Sequence, residues 1–159
     1  MDRLVEEILT GRPVRVLPVR HVPTLVRGAY CWIDLATGMQ PFVQDQASLL
    51  RQLREVVGAS RLMARETEGT PPRSPLPVAG VPHLVLSDLG RAAAPEDLPP
   101  DPPERWAAWA RWIGSELGSR VVALVPGAPE RYPDDVQRAF CLLRWDRGTS
   151  VQSVVRALS

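Results

Sequence analysis

Three short stretches of the chain are almost continuously apolar, and each is closed by a turn-forming residue: AYCWID at 29–34, PHLVLS at 82–87 and RVVALV at 120–125. Unbroken apolar runs of this length are what strands look like when both faces of their sheet are covered. Between them the pattern changes period. Over 45–57, Ala47, Leu49, Leu50, Leu53, Val56 and Val57 recur at helical spacing, and Gly58 is a natural stop. Over 104–117, Trp106, Trp109, Trp112, Ile113 and Leu117 gather near one side of a second helix. Weaker signals add an alternating strand over 61–66 (RLMARE), a short helix over 133–139 and a strand over 141–145. A last helix over 149–158 takes Thr149 or Ser150 as its N-cap. Proline-rich connectors occupy 69–82 and 92–103.

The resulting order is β-α-β followed by β-α-β-α-β-α. Strands alternating with helices predict a doubly wound, mostly parallel, Rossmann-like α/β sheet with helices on both faces. Residues 29–159 are expected to form this one domain. Residues 1–28 are read as a separate lead-in. A short helix over 3–10 ends at Gly11, and RPVRVLPVRHVPTLVRG follows, with three prolines and four arginines. Proline cannot donate to a ladder, so this segment predicts an extended arm or an edge strand that covers a sheet edge or engages a partner. Arg20 and Arg27 are its interface candidates.

Composition narrows the function classes. With 159 residues and 45% hydrophobic content, the chain can bury one real core. A net charge of +1 gives no global field toward nucleic acid or an acidic membrane. All 19 basic residues are arginine, so any chemistry that needs a lysine is excluded. Cys31 and Cys141 lie inside apolar runs and read as small buried hydrophobes. There is no CxxC pair, and neither His21 nor His83 has a partner at metal-ligand spacing. Residues 1–12 lack the apolar core of a signal peptide, and no run approaches the ~20 residues that span a bilayer. A soluble, cytoplasmic protein is expected.

In doubly wound sheets, function sits outside the carboxyl ends of the strands where the strand order reverses. That rule places the turn after Asp34 beside the Ser87-Asp88 turn. No glycine-rich phosphate loop follows any strand, and no GxSxG nucleophile elbow is present. DLATG resembles the DxDxT motif of haloacid dehalogenase-like phosphatases. The general-acid position is Ala36, however, and for the basic residue, usually lysine, that such sites need after a later strand, the chain offers only Arg91 after SDLG. Trp145-Asp146-Arg147 ends the last strand at the same edge, and Asp146 is read mainly as a turn residue that pairs with Arg147 or caps the last helix. Taken with Asp34 and Asp88, it supports an alternative: a metal-dependent nuclease or phosphoesterase of the PIN or Toprim kind. That alternative requires the three carboxyl groups to converge on one ion.

WIDLATGMQPF, the helix after it and HLVLSDLG together resemble the von Willebrand factor A family. Its metal-ion-dependent adhesion site is built from DxSxS after the first strand, a loop threonine and a late aspartate. Asp34 falls at the first position, Met39 at the methionine that follows the motif and Asp88 at the late aspartate. The serine positions hold Ala36 and Gly38. Thr37 lies beside them, and Thr67 or Thr70 stands for the loop threonine. The resemblance implies a degenerate adhesion site at Asp34 and Asp88, with Thr37, Thr70, Ser87 and Asp146 in support. It implies no cofactor, or at most weak Mg²⁺, because a hard cation needs more oxygen ligands than remain. More broadly, these motifs with VVALVP and LLRWDRGTS resemble A-type domains of bacterial systems that include MoxR-type AAA ATPases. This implies a non-enzymatic protein-interaction module in assembly or conflict machinery. Its partner would be an ATPase-associated or effector protein, with no role for membrane or nucleic acid. A purely local reading stands beside it: Asp34 and Asp88 accept backbone N–H groups and brace their own turns. Of the three tryptophans, two are expected in the core and one at an interface. Trp106 joins the interface candidates on that basis, and Met39 is a further one.

Overall fold

The computed structural model describes residues 25–72, 78–91, 103–146 and 149–158. Among these residues five strands are all parallel: β1 (Ala29–Asp34), β2 (Leu62–Thr67), β3 (His83–Leu86), β4 (Val121–Val125) and β5 (Cys141–Arg144), in the order β2-β1-β3-β4-β5. Four α-helices accompany them: α1 (Val43–Val57), α2 (Pro103–Leu117), α3 (Asp134–Ala139) and α4 (Val151–Leu158). This is the doubly wound α/β architecture that the alternating pattern predicts.

The alternation of side chains along each strand sorts the core into two layers. Tyr30, Trp32, Val85, Val121, Ala123 and Val125 face one way and pack under α2 and α3. Ala29, Cys31, Leu84, Leu86, Val122 and Leu124 face the other way and pack under α1 and α4. The chain leaves β1 toward β2 with α1 on one face, and leaves β3 toward β4 with α2 on the opposite face. The winding therefore reverses between β1 and β3, and the carboxyl ends of these two neighbours form the switch point of the sheet.

Local chemistry accounts for the element ends. Pro103 opens α2, where a missing N–H costs nothing, and Glu104 follows in the first turn. Gly28, which precedes β1, has φ +97°, and a Cβ there would lie 2.2 Å from the Arg61 carbonyl oxygen. Only glycine lets the start of β1 run this close to β2. Ser150 accepts the Ser153 N–H through its hydroxyl and is the N-cap of α4, one of the two residues expected.

Several details differ from expectation. A 3-10 turn over Thr37–Phe42 carries the chain from β1 into α1, which starts at Val43, not Asp45. Within α1 the buried stripe is Gln46, Leu49, Leu53 and Val57, while Val56 is 55% exposed and Ala47 also faces solvent. Trp106 and Trp109 are buried under α2 and Trp112 is 40% exposed, so the outward tryptophan is Trp112 and not Trp106. The helix over 3–10 and the arm as far as residue 24, with Arg20 on it, lie outside the described residues. Arg27 is described and exposed. Among the described residues, no helix is long and apolar enough to cross a membrane.

Candidate functional site

Asp34 ends β1 at the switch point, and its side chain is fully buried. Oδ1 accepts the Ala36 N–H at 2.9 Å and the Gly69 N–H at 2.7 Å. Oδ2 accepts the Ser87 hydroxyl at 2.5 Å. The same Ser87 oxygen accepts the Leu89 N–H at 2.9 Å, so one carboxyl group joins the ends of β1 and β3 and the turn that follows β2. The Asp34 carbonyl accepts a bond of 3.0 Å from the Gln46 side-chain amide, which ties in the first turns of α1. On the other face, the Trp106 indole N–H reaches the Gly69 carbonyl at 3.3 Å. Gly69 is thus held from both sides. Its φ of +72° explains why the position is glycine, and a Cβ there would sit 3.4 Å from the Ala36 Cβ.

Asp88 is also buried, but it serves a different turn. Its Oδ1 accepts the Gly90 N–H at 2.9 Å. Within this turn Leu89 is fully buried at φ +55°, a left-handed conformation that a leucine takes only when its surroundings impose it. Arg91 lies over the Tyr132 ring, 4.9 Å from its centroid, and donates to the Arg131 carbonyl at 2.8 Å. Burial pushes the Tyr132 phenol up to about 12; the nearby Asp88 charge acts the same way and Arg91 opposes it. Tyr132 therefore stays neutral near neutral pH, beside the loops above β3 and β4.

The remaining expected site residues scatter. Thr37 is exposed at the start of the 3-10 turn, and Thr70 is half-buried just past Gly69. Thr67 stands in register with Asp34, and its hydroxyl is buried without a hydrogen-bond partner. Met39 is fully buried. The 3-10 turn, closed by the Met39 N–H on the Ala36 carbonyl at 2.8 Å, folds its side chain into the layer under α1. Met39 and Trp106 thus present nothing to a partner, which corrects the expectation that they line an interface. Asp146 is exposed and belongs to a turn with Thr149: its N–H donates to the Thr149 hydroxyl at 3.0 Å, and its carbonyl accepts the Thr149 N–H at 3.0 Å.

These residues do not fit a divalent cation. Both Asp34 oxygens already receive hydrogen-bond donors, and positions 36 and 38 supply no side-chain oxygen. Among the described residues, no three His, Cys, Asp or Glu side chains are grouped as a metal would require. Asp34, Asp88 and Asp146 therefore do not make the carboxyl cluster on which nuclease chemistry depends. Residues that the pattern did not single out do much of the bracing. Gln46 and Gly69 have no motif of their own. The one available signal was a glutamine inside an otherwise apolar helical stripe.

Beside this brace two apolar side chains are exposed, Leu35 at 38% and Val43 at 43%. They flank the 3-10 turn on either side, immediately after Asp34 and at the start of α1. Fold and site together define a class: an all-parallel α/β domain with a buried aspartate, hydrogen-bonded through both carboxyl oxygens, at its switch point. Comparison of the chain with protein-family models, with curated proteins and with solved structures gives no match in any of the three.

Proposed function

We propose that the chain is a non-enzymatic protein-interaction module that offers the turn between β1 and α1 to another protein. The observation that carries this reading is the state of Asp34. Asp34 is fully buried, its Oδ1 takes two backbone N–H donors and its Oδ2 the Ser87 hydroxyl, so the carboxyl group serves the fold and presents no surface to a ligand. Among the exposed residues at this edge are two apolar ones, Leu35 and Val43, on either side of the 3-10 turn. Apolar side chains held in place by a braced scaffold suit docking, because little side-chain freedom is lost on binding. Trp112 on the outer side of α2 is an exposed aromatic of the kind that anchors interfaces.

The sequence resemblance supplies the class of partner: an ATPase-associated or effector component of a bacterial multicomponent system that uses A-type domains. The test is direct binding between the purified chain and purified components of such a system. Changing Leu35 and Val43 together to aspartate is expected to weaken the complex at least tenfold, with the melting temperature unchanged within a few degrees. Mg²⁺- or Mn²⁺-dependent cleavage of a phosphoester by the purified chain, lost in Asp34→Asn, would overturn the reading.

A further inference from the structure

Below the Asp34 brace, on the same side of β1 and β3, lies a second polar group of a different kind. His83 is fully buried at the start of β3. Its ring lies parallel to Tyr30 at 4.9 Å and within 4° of the plane of Trp32. The Trp32 indole N–H donates to His83 Nδ1 at 3.1 Å. Trp109 from α2 stands edge-on to this layer, 6.1 Å from both His83 and Trp32. Because Nδ1 is an acceptor, the proton of the neutral ring must sit on Nε2. Nε2 is buried with no partner, as are the Tyr30 hydroxyl and the Trp109 indole nitrogen.

We propose that this layer is an acid-sensitive latch: a proton on His83 releases α2 from the sheet and, through Trp106, loosens the Gly69 turn that Asp34 holds. A second proton on the ring can only go to Nδ1. There it faces the Trp32 N–H, so donor meets donor and the Trp32–His83 bond is lost. The charged ring is left among Tyr30 and Trp32 of β1, Val121 of β4 and Trp109 of α2. Among these, Tyr30 is the only titratable group, and burial raises its phenol further, with the Arg65 charge opposing, so it stays neutral. The ring faces attract a cation, but no carboxyl group among these neighbours pairs with it.

Burial alone pushes His83 down to about 4 from its ordinary 6.5. As the pH falls, the unfolded or opened chain binds this proton before the closed one does. The stability that neutral His83 contributes is complete above about pH 6.5 and is lost progressively toward pH 4, by up to about tenfold in the closing equilibrium per pH unit. The route to the edge is short. Trp109 and Trp106 lie three residues apart on α2, and Trp106 holds the Gly69 carbonyl while Asp34 holds the Gly69 N–H.

The experiment is amide hydrogen exchange of the whole chain between pH 7 and pH 4.5, corrected for the intrinsic pH dependence of exchange, with His83→Gln alongside. Glutamine keeps an acceptor for Trp32 and does not titrate in this range. The expected result is that opening at Gly69 and along α2 rises about tenfold per pH unit below pH 6.5 in the native chain. In His83→Gln it stays flat. An equal rise in both chains overturns the proposal. If His83→Gln does not fold, nitrogen NMR of the native chain decides: His83 must stay neutral, with its proton on Nε2, well below pH 6, and charge together with loss of the Trp32 indole signal. Titration near 6.5 with the Trp32 signal unmoved refutes the latch.

Discussion

The same two strands bury polar groups in two places and treat them in opposite ways. At the carboxyl ends of β1 and β3, Asp34 and Ser87 meet donors on every side-chain oxygen that faces the fold. Near the start of β3, the Tyr30, His83 and Trp109 layer buries three polar atoms without partners and satisfies one pair, Trp32 with His83. The asymmetry of hydrogen-bond energetics gives each arrangement a meaning. A buried pair adds only about 1 kcal/mol to stability, but one stranded partner costs about 1–3 kcal/mol. The brace is therefore a place where removal is damaging. The aromatic layer is a place where the protein already carries unpaired groups, and its stability rests on packed ring area.

The comparison breaks first at Asp34. Asp34→Ala strands the Ala36 and Gly69 N–H groups and the Ser87 hydroxyl together, and a loss of about 3–5 kcal/mol is expected. Urea unfolding followed by circular dichroism measures it. A loss below 1 kcal/mol would mean that water replaces the carboxyl group at no cost and that no brace exists. Ser87→Ala removes one bond to Asp34 and one acceptor for the Leu89 N–H, and about 1–3 kcal/mol is expected in the same assay. Leu89 should respond most, because its left-handed backbone depends on that acceptor, and faster exchange at the 89–91 amides would report it. At the other pole, Tyr30→Phe deletes a hydroxyl that has no partner. A change between zero and a gain of about 1 kcal/mol is expected, with the ring stacking retained. A clear loss would show that the phenol is satisfied after all, and the contrast between the two regions would narrow.

Much of the fold could be read in the chain because its strands are buried on both faces. AYCWID, HLVL and VVALV admit no other easy reading, and the helices between them carry a clear period. The meeting of the Asp34 and Ser87 turns follows from the winding rule alone. The rest of the site was hidden for a physical reason: its donors are backbone N–H groups of Ala36 and Gly69, which every residue but proline possesses and no motif marks. Met39 and Trp106 misled for a related reason. Met39 enters through its place after the motif, and Trp106 through a helical row of three tryptophans that does not show which one faces outward. The 3-10 turn and the first turn of α2 each rotate them into a core layer, and nothing in the local sequence specifies those rotations.

The span of the brace also fixes when it can form. Asp34 bonds to residues 35 and 53 positions away along the chain, across two separate crossovers. Neither bond is available until β1, β2 and β3 are already aligned, which favours their formation late in folding. Asp34→Asn is therefore expected to leave the refolding rate nearly unchanged and to place almost all of its effect on the unfolding rate, a φ-value near zero in stopped-flow measurements. Asp34 would then set how long a folded molecule lasts and have little influence on how quickly one is made.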